Sequence, residues 1–121
     1  MVAAMGACGA LARYAIALAM LRLAGGPTLS FVGTIVVNAV GSFLFGYLFA
    51  AGPHISWLTP ALRLGLLTGF MGAFTTFSAF SMDTIQLFQT RGPSWAVAYV
   101  VVQNVLGIGL ALVGAYLGRL L

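Results

Sequence analysis

Four apolar stretches, separated by short breaks that carry the four prolines and two of the five arginines, leave this sequence few ways to fold. With 62% of residues hydrophobic, 5% charged and a mean hydropathy of +1.12, the chain lies outside the range of soluble domains. A membrane-spanning helix needs roughly 20 mostly apolar residues, so 121 residues accommodate about four spans and no soluble domain beside them. Backbone groups in lipid must be satisfied internally, and continuous apolar runs rather than alternation select helices over a barrel. The expected fold is an all-α integral membrane protein. It is a single four-helix transmembrane domain over 1–121, with spans at about 1–21, 29–50, 61–89 and 95–118.

Several function classes fall away on composition. One cysteine (Cys8) excludes an intrachain disulfide, and a single His with a single acid makes a side-chain metal site improbable. The five arginines are too scattered for a nucleic-acid patch and suit anionic headgroups or an anionic substrate. The first run lacks a charged leading segment and carries Arg13 in its middle, so it reads as a retained helix and not a cleaved signal. No nucleophile, base and orienter recur together, so an enzyme is not expected.

Polar residues in the spans follow helical spacing. In the first span, which ends near Arg22 and the Gly25-Gly26-Pro27 turn, Gly6, Gly9 and Ala10 permit close helix contact. Arg13 on a spanning helix either snorkels, bonds a carbonyl at a helix break, or attracts an anion. The second span carries Thr34, Asn38 and Ser42 at i, i+4 and i+8, a polar stripe on one face. A buried Asn amide needs partners, as interhelical glue or as a contact for a substrate. Trp57 reads as an interfacial anchor, and the loop residue His54 is given no function.

The third span is too long for one plain crossing unless it tilts or breaks. A break fits Gly72-Ala73-Phe74-Thr75-Thr76-Phe77-Ser78-Ala79-Phe80-Ser81, where glycine and hydroxyls can re-satisfy freed backbone groups. Carbonyls exposed there are potential cation ligands, although a continuous helix with back-bonded hydroxyls also satisfies the pattern. Asp83 is the only acid, either functional or reaching for headgroups or an arginine. In the fourth span, Tyr99, Gln103 and Gly107 continue as a small and polar seam. The adjacent Gln103 and Asn104 point about 100° apart and cannot hide against the same neighbour.

With four spans, Arg63 and Arg119 lie on one side and Arg22 and Arg91 on the other. This two-against-two balance gives almost no orientation preference. The expectation is dual topology with an antiparallel homodimer, since four small helices hardly enclose a pore alone.

Three segments carry a family resemblance: Gly6 to Tyr14 (GACGALARY), Gly33 to Gly46 (GTIVVNAVGSFLFG) and Gly69 to Phe80 (GFMGAFTTFSAF). Together they resemble the signatures of the Fluc (CrcB) fluoride channels, in order and over nearly the whole chain. The resemblance implies a passive fluoride-selective channel in the inner (plasma) membrane, a homodimer with two pathways and a central structural sodium ion. By matching position, it implies that Phe77 and Phe80 line the ion path with their ring edges and that Asn38 faces them as an amide donor. Thr76, Ser78 and Ser81 would be accompanying hydroxyls, Tyr99 a bordering tyrosine, and Gly72 and Thr75 the carbonyl donors to sodium. Arg13 and Asp83 take structural or electrostatic roles.

Two positions depart from the pattern: Asp83 stands where a glutamate is usual, and Gln103 where a serine is more usual. Two rival functions are weighed alongside. A small multidrug-type exporter needs a carboxylate in the first helix, where this chain has Arg13. A non-transporting membrane subunit would use the same glycine seams only for packing.

Overall fold

The computed structural model describes residues 1–23 and 30–121. The Gly25-Gly26-Pro27 turn and the expected start of the second span at Leu29 lie outside the described residues. Among the described residues every regular element is helical: α1 (Val2–Leu23), α2 (Ser30–Ala51), a 3₁₀ turn (Gly52–His54), α3 (Pro60–Leu64), a π-helical segment (Gly65–Met71), α4 (Gly72–Phe74), α5 (Phe77–Arg91) and α6 (Pro93–Gly118). Four helical stretches are long and apolar enough to cross a membrane: Val2–Leu23, Phe31–His54, Pro60–Arg91 and Pro93–Gly118. The last begins two residues earlier than the sequence suggests. Proline at the first helical position has no amide to leave unsatisfied, and its fixed φ suits a helix start.

Most large apolar side chains face outward, with Leu11 68%, Val105 65% and Ile108 63% exposed. In water such an arrangement would forgo the hydrophobic driving force, whereas lipid tails are as apolar as the side chains themselves. Helix association must then come from close packing, and small residues supply it. A Cβ on Gly46 would fall on the Ala111 carbonyl oxygen, and one on Gly114 on the Phe43 carbonyl oxygen. The contacts advance together along both helices, from Phe31 with Tyr99 to Ala51 with Gly118, so α2 and α6 run parallel. The same device joins α1 to the π-helical segment: Gly9 abuts the Phe70 carbonyl, and Gly69 abuts Val2 and Met5.

The third span changes partners part-way. Up to Phe74 it packs on α1, and from Phe77 it packs on α6 as an antiparallel pair. Between the two halves, Thr75 (φ −76°, ψ 157°) and Thr76 (φ −149°, ψ 119°) are extended. Each half is capped on its own. The Thr75 hydroxyl donates to Met71 O at 3.0 Å, and the Thr76 hydroxyl accepts from Ala79 N at 3.1 Å, an N-cap for α5. Gly92, at φ +92°, makes the left-handed turn from α5 into α6 that a Cβ would strain.

Arg63 ties the connection between the second and third spans. It donates from Nη2 to Phe49 O at 2.6 Å and lies over the Phe49 ring, supplying a cation where α2 leaves carbonyls unpaired. Trp57 is 69% exposed in this connection, as an interfacial anchor requires.

Candidate functional site

The polar stripe of α2 faces the interruption in the third span. Asn38 binds Thr76 twice: its Nδ2 donates to Thr76 O at 3.1 Å, and its Oδ1 accepts from Thr76 N at 2.9 Å. A primary amide presents a donor and an acceptor side by side in one plane, so it can pair with both the N–H and the C=O of one extended residue. The extended residue therefore has both backbone groups satisfied in a region where water is scarce.

The same bonds act one turn back. The amide that would close an α-helical bond onto the Gly72 carbonyl is that of Thr76, and it goes to Asn38. The amide that would close onto the Thr75 carbonyl is that of Ala79, and it goes to the Thr76 hydroxyl. Both carbonyls thus lose their helical donors. Around Gly72 there is open space, with no heavy atom within 4 Å of where a Cβ would stand.

Two cavities flank the Asn38–Thr76 pair. The larger, about 340 Å³, lies between α2, the interruption and α6, with Asn38, Ser42, Thr76, Phe77, Phe80 and Gln103 among its walls. The Phe77 and Phe80 rings sit 5.4 Å apart at 50°, and Phe77 is 77% exposed at the outer side. The second cavity, about 250 Å³, lies between α1 and α2 and is lined by Arg13, Thr34 and Thr76, among others. Arg13 makes no hydrogen bond, ion pair or ring contact among the described residues. Thr76, buried, is the wall common to both.

Behind Phe80 lies a second polar cluster. Thr34 Oγ1 donates to Asp83 Oδ2 at 2.5 Å, the Tyr99 hydroxyl donates to the same oxygen at 3.1 Å, and Gln103 Nε2 donates to the Tyr99 oxygen at 3.0 Å. The Tyr99 ring packs against Phe80, with centroids 5.6 Å apart, and edge-on against Phe31 at 5.9 Å.

Of the residues singled out from sequence, the larger cavity brings together Asn38, Thr75, Thr76, Phe77 and Phe80. Ser78 faces Thr76, with oxygens 3.2 Å apart, and Ser81 bonds back to Phe77 O at 3.0 Å; neither lines a cavity described above. Tyr99 and Asp83 stand one layer behind the wall, and Arg13 belongs to the other cavity. Ser42, Gln103 and Asn104 line the larger cavity without having been assigned to it. Their signal was present as the polar stripe of the second span and the adjacent amides of the fourth.

The family model described as CrcB-like protein, Camphor Resistance (CrcB), matches residues 1–115. Curated relatives are similar over nearly their whole length. One from Rhizobium meliloti is 39% identical over 118 residues, covering 98% of this chain and 90% of its own. One from Nitratidesulfovibrio vulgaris (strain DSM 19637 / Miyazaki F) is 42% identical over 116 residues, covering 95% and 91%. A third, from Dehalococcoides mccartyi (strain ATCC BAA-2100 / JCM 16839 / KCTC 5957 / BAV1), is 38% identical over 122 residues, covering 100% and 92%. All three carry the name fluoride-specific ion channel FluC. With the family model spanning most of the chain and relatives of this identity matched over about nine-tenths or more of both sequences, the chain belongs to the CrcB-like family.

Proposed function

We propose that this chain is a passive fluoride channel, working in the inner (plasma) membrane as an antiparallel, dual-topology homodimer with two ion pathways. The observation that carries the reading is the larger cavity, where amide and hydroxyl donors meet two phenylalanine rings beside an interruption in a spanning segment. Fluoride is small and tightly hydrated, so a pathway must replace lost water with donors as it strips them. Asn38 commits one amide proton to Thr76 O and retains a second, and Ser42 and Asn104 add further donors on the walls. Ring edges carry the positive part of the aromatic quadrupole, so Phe77 and Phe80 contact an anion weakly enough to let it leave.

A homodimer accounts for two features that a lone chain leaves open. Phe77 is an apolar ring 77% exposed beside a polar cavity, and Gly72 faces empty space at the interruption. A second copy would close the outer wall and face one set of freed carbonyls with another. The even division of Arg63 and Arg119 against Arg22 and Arg91 allows the two copies to insert in opposite senses.

Gly72 and Thr75 fit the implied sodium ion, because both carbonyls lose their helical donors and a hard cation takes oxygen ligands. Bound there, sodium would supply positive potential near the pathway without an ionised side chain in the span. Arg13, at the other cavity, adds to that field.

Efflux from proteoliposomes holding purified protein, with fluoride compared against chloride, tests the function. Rapid fluoride release with chloride retained is expected. Equal release of both anions, or of neither, would overturn it.

A further inference from the structure

Asp83 is the only acid of the chain and is 9% exposed. A carboxylate has no proton to give, so Thr34 and Tyr99 must both donate to its Oδ2, at 2.5 and 3.1 Å. The single phenolic proton of Tyr99 is thereby committed, and its oxygen can only accept. The partner 3.0 Å away is the Gln103 carboxamide, which must turn its NH₂, and not its carbonyl, to the phenol. Gln103 is 8% exposed and lines the larger cavity, whereas Tyr99 and Asp83 do not. It is therefore the link between the cavity wall and the buried carboxylate.

We propose that Gln103 is a positioning residue for this pathway: its carboxamide holds the Tyr99 hydroxyl turned onto Asp83, so that the carboxylate keeps two donors while an anion passes in front of Phe80. The inference rests on the fluoride reading of the cavity. A residue able to accept at this position would draw the Tyr99 proton toward itself. Asp83 would then be left with Thr34 alone, and more uncompensated negative charge would face the anion's path. Hydrogen bonds to a charged group are the stronger kind, so the direction of this one proton matters. A serine hydroxyl could donate or accept here by rotating its proton alone, whereas a carboxamide would have to turn over whole to present its carbonyl to the phenol.

Two substitutions test it. Gln103→Met keeps the length of the side chain and removes the donor; Gln103→Glu replaces the donor with an acceptor. In proteoliposomes, Gln103→Met is expected to lower fluoride flux about five-fold in the otherwise unaltered chain and less than about two-fold in a Tyr99→Phe background, the size of effect one hydrogen bond carries. Equal losses in both backgrounds, or no loss in the first, would overturn the proposal, since a side chain that merely fills space costs the same with or without the phenolic proton.

The second readout needs no ion flux, so it stands apart from the channel reading. The phenol C–O stretch of Tyr99, isolated in the infrared by subtracting the Tyr99→Phe spectrum, reports whether the hydroxyl accepts as well as donates. It should shift in Gln103→Met, and in Gln103→Glu it should take the position of a phenol donating to a different carboxylate. A band unmoved in both variants overturns the proposal. If Gln103→Met does not fold, Gln103→Glu carries the same test.

Discussion

Asn38→Asp is the sharpest single perturbation of the site, because it exchanges one amide NH₂ for an oxygen and leaves the shape alone. The acceptor half of the clamp survives: a carboxylate oxygen can still take the Thr76 amide, now at 2.9 Å. The donor half inverts. An oxygen would stand about where Nδ2 now lies 3.1 Å from Thr76 O, so a hydrogen bond becomes a contact between two acceptors. Losing the bond and leaving the carbonyl unpaired costs about 1–3 kcal/mol. A negative charge on the cavity wall acts on the anion as well. At about 4 Å and an effective dielectric near 20, two unit charges interact by about 4 kcal/mol. Fluoride occupancy beside the ionised carboxylate of the Asn38→Asp variant would then fall by about a thousand-fold.

The control is Asn38→Leu, of similar shape but uncharged, which abandons both hydrogen bonds and adds no repulsion. Fluoride efflux from liposomes is the assay, with size-exclusion profiles in detergent establishing that each variant is folded. Asn38→Asp should abolish measurable flux, and Asn38→Leu should lose stability in thermal unfolding. Fluoride flux within about two-fold of the unaltered protein in a folded Asn38→Asp variant would refute the assignment of Asn38 to the pathway wall, since the repulsion alone predicts a far larger loss.

Phe80→Ile should impair fluoride flux while leaving assembly largely intact, as judged by efflux and by cross-linking in the membrane; undiminished flux removes Phe80 from the pathway. Gly46 and Gly72 form a contrasting pair. A side chain at Gly46 collides with the Ala111 backbone, so Gly46→Val should destabilise the chain by more than the usual ~1–3 kcal/mol of overpacking and reduce folded yield. Gly72→Ala meets nothing within 4 Å in one chain, so its fold should be retained, and any loss of flux or assembly measured in it reports on a second copy. Reporter fusions at the C-terminus should be found on both sides of the membrane, and a single orientation would exclude dual topology.

The sequence revealed the spans and the faces, because lipid imposes a length and helical spacing imposes a side. Thr34, Asn38 and Ser42 share one face, as spacing predicts, and the structure turns that face toward the third and fourth spans. The identity of each partner was not legible. Spacing of i, i+4 gives a direction around one helix, but the register against the next is set by where Gly46, Gly114 and Gly118 let two backbones touch. Hence Asn38 reads as interhelical glue or as a substrate contact, without its partner, the backbone N–H and C=O of Thr76, being named. Gln103 likewise reads as an intrusion where a serine is usual, although its target, the Tyr99 hydroxyl, lies four residues away on the same helix. The π-helical segment Gly65–Met71 has no counterpart in the apolar pattern, since its residue types suit an α-helix equally well.

The interruption also ties two properties together that are usually considered apart. The Thr76 amide is withheld from Gly72 O because Asn38 takes it, and the same Asn38 walls the larger cavity. The Ala79 amide is withheld from Thr75 O because the Thr76 hydroxyl takes it, and Thr76 walls both cavities. Side chains that face the proposed anion path therefore also free the carbonyls proposed to face a cation. Any change at Asn38 or Thr76 that lets the helix close over the interruption returns donors to Gly72 and Thr75 as it reshapes the cavity. A variant that releases the Thr76 amide, such as Asn38→Leu, should thus lose cation dependence and anion flux together, whereas Phe80→Ile should lose only the second.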